Sequence, residues 1–129
     1  MVQDRERTQR LAVQMLERDR WPRAQLLEYQ HDRLREIVRH AVARSPYYRV
    51  AIGDVGAGDV DLQQLPVLTK SRLMSAFDSI VTDPRLRLAD AERHLAGELA
   101  SEPLHSQFRV ATSSGTTGQL AVMAYDPSA

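Results

Sequence analysis

Apolar residues recur at helical spacing from about Asp4 to Arg20. Leu11 stacks with Met15 and Ala12 with Leu16, and Arg, Gln and Glu fill the positions between. Trp21-Pro22 breaks this pattern, and proline suits the first turn of the helix that follows. Residues 23–44 then carry Leu27, Leu34, Ile37, Val38, Ala41 and Val42 along one face, the strongest periodic signal in the chain. That helix is expected to stop near Arg44, because Ser45 precedes Pro46 and the residue before proline disfavours helical geometry. Residues 45–53 predict a short helical turn closed by Gly53, and residues 54–66 a connecting loop. Thr69 is a good N-cap for a helix over 70–78, whose apolar face is Leu73, Met74 and Phe77. Asp83-Pro84 marks a turn, 88–96 a further helix, and 97–106 irregular chain.

The last segment changes period. Residues 107–114 alternate and read as a strand, and 120–126 as a second one. Between them lies the stretch Thr112-Ser113-Ser114-Gly115-Thr116-Thr117-Gly118-Gln119, with five hydroxyl side chains and two glycines. The expected class is α+β, a single incomplete domain over 1–129, helical over 1–106 and strand–loop–strand over 107–129.

Composition bounds the function. Seventeen basic residues balance seventeen acidic ones, which argues against a nucleic-acid partner or an acidic-membrane binder. The charge is uneven: residues 1–50 carry eleven Arg against seven acids, and 51–106 five basic residues against nine. Sixteen of the basic residues are Arg, and Lys70 is the single lysine. Cysteine is absent, so disulfides and thiolate metal sites are excluded. No apolar run approaches the ~20 residues of a membrane span, and the first ten residues lack a secretory pattern, so a cytoplasmic protein with no membrane partner is expected.

A phosphate chain needs many donors converging on one concavity. Glycines let backbone N–H groups approach closely, and Ser/Thr hydroxyls add donors that rotate to fit. Residues 113–118 supply both. They are not a Walker loop, since Gln119 rather than Lys follows Gly118, and they are not the dinucleotide fingerprint. On composition alone, a ligand-free hairpin loop weighs equally.

The stretch resembles the glycine-rich phosphate loop of adenylate-forming enzymes. The segments at 33–49, 65–81 and 109–119 are similar, in order and rough spacing, to the phenylacetate–CoA ligase-like branch of that superfamily. The likeness covers residues 20–126. It implies that Ser113, Ser114, Gly115, Thr116, Thr117 and Gly118 hold ATP phosphates, with Mg2+, while a small-molecule carboxylate attacks the α-phosphate. An acyl-adenylate and pyrophosphate result, and CoA can then take the acyl group. Many members continue the loop with Pro and Lys, where this chain has Leu120 and Ala121.

The family's adenine, ribose and metal ligands and its catalytic Lys lie downstream of the loop and have no counterpart in 119–129, so no catalytic residue is assigned. Lys70 belongs to the Leu68-Thr69-Lys70 segment and is not that lysine. The chain is therefore expected to be an N-terminal fragment that is inactive in adenylation alone, open to self-association or a complementing chain. Two other readings stand: a small helical interaction module, and a stand-alone nucleotide-phosphate-binding domain. His31, His40, His94 and His105 show no metal-ligand spacing, and Asp78 and Asp83 no catalytic pattern.

Overall fold

The computed structural model describes residues 2–53, 60–97, 102–113 and 120–127. Among the described residues, six helices precede a two-stranded ribbon: α1 (Val2–Arg18), α2 (Arg23–Arg44), α3 (Pro46–Ile52), α4 (Lys70–Ser75), α5 (Phe77–Ile80) and α6 (Leu88–Ala96), then β1 (Arg109–Thr112) and β2 (Val122–Tyr125). A 3-10 turn spans Leu62–Gln64. The arrangement is mainly helical with one small antiparallel sheet among the described residues, compatible with the expected α+β class. Among the described residues no helix is long and apolar enough to cross a membrane.

Local chemistry sets most of the boundaries. Pro22 stands at the N-cap of α2 with extended ψ, and Ser45, also extended, closes its end. Ser45 then caps α3, its Oγ accepting the Tyr48 N–H at 3.3 Å, with Pro46 at the first helical position. Gly53 ends α3 at φ 68, a region that favours glycine. Residues 54–59 of the expected loop lie outside the described residues. The helix expected over 70–78 is two helices instead. Ala76 leaves helical geometry at φ −113 and ψ 12, and Phe77, the first residue of α5, is buried in the core. The strands are also shorter than their alternation suggests, since Gln107 and Phe108 belong to a turn closed by a Leu104–Phe108 bridge.

The core sits where α5, α6 and the ribbon meet. Phe77, Ala91 and Val122 are buried together, and Met74, Val81, Leu88, Leu95, Leu104 and Val110 pack around them. Asp78 of α5 reaches across to α6 and accepts the Leu88 N–H at 2.8 Å, capping a helix whose own flanking residue makes no side-chain cap. At the other end of the chain, Arg18 lies 4.5 Å over the Tyr29 ring, and Trp21 meets that ring edge-on. This contact joins α1 to α2. The periodic face of α2 is partly covered: Val38 is buried and Leu34, Ala41 and Val42 are half-buried, but Leu27 is 51% and Ile37 61% exposed.

One polar side chain ties α2 and α3 to α5. Ser45 is fully buried, and its hydroxyl donates to the Ser79 carbonyl at 3.0 Å while capping α3. Ser45→Ala removes the cap and leaves a carbonyl without this donor. The expected cost is about 1–3 kcal/mol, read as a lower midpoint in urea unfolding with an unchanged slope.

Candidate phosphate-binding site

Of the six residues assigned to the phosphate loop, Ser113 is described, and Ser114, Gly115, Thr116, Thr117 and Gly118 lie outside the described residues. What is described is the loop's neck. β1 and β2 pair antiparallel with Thr112 opposite Val122 and Arg109 opposite Tyr125. One step beyond, Ser113 donates its N–H to the Ala121 carbonyl at 2.9 Å. The return bond is unusual, because the Ala121 N–H goes to the Ser113 hydroxyl oxygen at 3.1 Å. The serine side chain thus does what a backbone carbonyl does in a regular ladder.

A second donor reaches the same oxygen. Lys70 Nζ donates to Ser113 Oγ at 3.3 Å, across 43 positions of sequence. Lys70 is half-buried and opens α4, which is started by Thr69: its Oγ1 accepts the Arg72 N–H at 3.2 Å. A serine hydroxyl has two lone pairs and one proton. Ala121 and Lys70 fill the lone pairs, so the proton is what Ser113 can give to a ligand oxygen. A lysine ammonium has three donors and cannot accept, so the same group can serve the serine and an anion together. The donor set at the neck, an ammonium and a hydroxyl proton, fits phosphate.

Lys70 is the functional candidate that sequence reading set aside. Its signal was its singularity: one lysine among sixteen arginines, at the start of a capped helix. Other candidates serve structure. His94 Nε2 lies 2.9 Å from the Glu102 carbonyl and His105 Nε2 3.2 Å from that of Arg85. Asp78 caps α6, while Asp83 binds Arg85, so these two acids do not act as a pair. Among the described residues no group of three or more His, Asp or Glu is placed to hold a metal ion.

The far end of the ribbon is fastened separately. Asp83 takes Arg85 in a two-oxygen grip, with Nη2 to Oδ2 at 2.7 Å and Nε to Oδ1 at 3.0 Å. Arg85 also donates to Gln107 Oε1 at 2.8 Å, and Gln107 donates in turn to Asp126. Beside this chain an open cleft of about 1200 Å³ is lined by Arg7, Leu11, Gln107, Arg109, Tyr125 and Asp126. It lies at the end of the ribbon opposite the loop neck, and its mixed charges favour no one ligand.

Comparison with family models, with curated proteins and with solved structures finds no match.

Hydrogen bonds from the Arg85 side chain and backbone hold the Asp83 carboxyl at about 2, below its ordinary 3.8. Because the folded value is the lower one, this pairing stabilises the fold above about pH 4 and is lost as pH falls toward 2. The expected carboxyl titration midpoint, followed by NMR, is near 2. Asp83→Asn should be less stable than the parent at pH 6 and converge on it near pH 2. Added salt should shrink the pH 6 difference, because the pair is partly exposed.

Proposed function

We propose that residues 113–118 form a phosphate-binding loop for ATP, with Lys70 neutralising phosphate charge at its neck. The observation that carries this reading is the 3.3 Å contact of the sole lysine with the loop's first serine. A flexible, ligand-free Ser/Thr/Gly loop has no need of an ammonium held at its mouth. A triphosphate does, since transferring or displacing phosphates depends on positioning and on neutralising charge that spreads over oxygens.

Together with the family resemblance, this supports a role in carboxylate activation. In the complete enzyme ATP and a small carboxylate would give an acyl-adenylate and pyrophosphate, with CoA as the thiol acceptor. The residues present would bind and orient the phosphates. Ser113 would donate its hydroxyl proton, and Lys70 would offset negative charge. The remaining catalytic groups of that family are not among these residues, so phosphate binding is proposed for this chain and adenylation for the complete enzyme.

A helical interaction module is the second reading, favoured by one observation. On α1, Leu11, Val13, Met15 and Leu16 are all between 48% and 65% exposed. So much exposed apolar surface asks for a cover.

Calorimetric titration with MgATP tests the first reading. Binding is expected, with loss in Gly115→Val and Gly118→Val, where a side chain blocks close approach of the backbone. Lys70→Ala should weaken it at least about tenfold, as for a lost charge-assisted contact. No heat at millimolar nucleotide would overturn the phosphate reading and leave the interaction module, which sedimentation would then reveal as self-association.

A further inference from the structure

One face of α4 touches both stems of the loop. Lys70 and Met74 are four residues apart, so they stack on the same side of the helix, about 6 Å apart. Lys70 Nζ meets Ser113 Oγ where β1 ends. One turn later, Met74 Sδ accepts the Val122 N–H at 3.3 Å, where β2 begins.

Ribbon geometry explains why that N–H needs an acceptor. Ser113 and Ala121 are joined by a backbone bond, and bonded and non-bonded pairs alternate along an antiparallel ladder. The next pair, Thr112–Val122, is therefore the non-bonded kind. Its Val122 N–H turns away from β1, toward the outer edge of the ribbon. There Val122 is buried, only 5% exposed, so water is a poor substitute partner.

The widths also agree. Ser113 and Val122 sit on opposite strands, one residue out of register. Strands about 4.8 Å apart with about 3.4 Å per residue put such a diagonal pair roughly 6 Å apart. One turn of α4 spans the same distance.

We propose that Met74 is a positioning residue for the phosphate loop. With Lys70 it makes α4 a two-point clamp that fixes the separation of the loop's stems. Lys70 holds the entry stem through a side chain, and Met74 holds the exit stem through the backbone. The consequence for ligand binding rests on the phosphate reading of the loop; the clamp itself does not. Met74 also packs against Phe77, Ala91 and Val122, so its sulfur must be tested apart from its bulk. Leucine keeps volume and apolarity but has no acceptor, whereas selenomethionine keeps both shape and acceptor.

The test compares the parent chain, Met74→Leu and the selenomethionyl parent. Amide hydrogen exchange at Val122 is read by NMR without nucleotide, with Ala91 as an internal reference. Met74→Leu is expected to speed Val122 exchange about three- to tenfold over the reference, the size of one modest hydrogen bond, with parent values in the selenomethionyl protein. Equal Val122 protection in parent and Met74→Leu overturns the clamp. MgATP titration is the second arm. Affinity in Met74→Leu is expected to fall by a similar factor and to stay at the parent value with selenomethionine. Loosened Val122 with undiminished affinity overturns the positioning role. A parent that binds no MgATP removes the phosphate reading and the positioning role with it, while the exchange arm still decides whether the clamp exists.

Discussion

The burial of Phe77, Ala91 and Val122 against one another is the contact on which the rest of the structure depends. A two-stranded ribbon is at best marginally stable in water unless something packs against it. Here the support is α5 and α6, and each supplies one member of the cluster. α4 and α5 adjoin at Ala76, so the short segment that carries Phe77 into the core also carries Lys70, which donates to Ser113 at the neck of the loop.

Outside this centre Val38, Val60, Leu86 and Phe108 are also buried, and a few polar links add to the attachment. Ser45 joins α2 and α3 to α5, and Asp78 joins α5 to α6. The chain from Asp83 through Arg85 and Gln107 to Asp126 ties the far end of the ribbon. None of these is a large apolar contact. Much apolar surface on α1 and α2 is accordingly still in water, and the outer edges of β1 and β2 pair with no third strand among the described residues. Stability of such a body rests on small terms, so single polar substitutions matter more than they would in a thick core.

The parts of the fold that were legible in the sequence are those fixed within a few residues. α2 runs from 23 to 44, as expected, because Pro22 and Ser45-Pro46 dictate both ends through covalent geometry. α6 likewise covers 88–96. Periodicity named the apolar face of α2 but could not say how much of it is covered: Val38 is buried, while Leu27 and Ile37 stay exposed. The break at Ala76 was not legible, because no Gly or Pro marks it between Lys70 and Ile80. His105 and Ser106 adopt positive φ, 51 and 59, in the turn before β1, which no local signal marks. Of the site, loop composition pointed to Ser113. The contact with Lys70 joins residues 43 positions apart, and only tertiary structure brings them together.

On the proposed reading, position 121 bears on why a cation would come from α4. Leu120 and Ala121 stand where many enzymes of the family this loop resembles carry Pro and Lys. Ala121 is buried, and both its N–H and its carbonyl are tied to Ser113. A lysine there would have to pass its chain through the ribbon's packed side or disturb the neck. Burying an ammonium without a partner costs several kcal/mol, so the site disfavours it. Lys70 avoids that penalty, because it stands outside the ribbon and reaches the neck from a helix capped by Thr69 and tied to β2 through Met74. On the proposed reading, the charge is not missing from the loop; it approaches the same mouth from another element. The precision of that approach then depends on how firmly α4 holds the two stems.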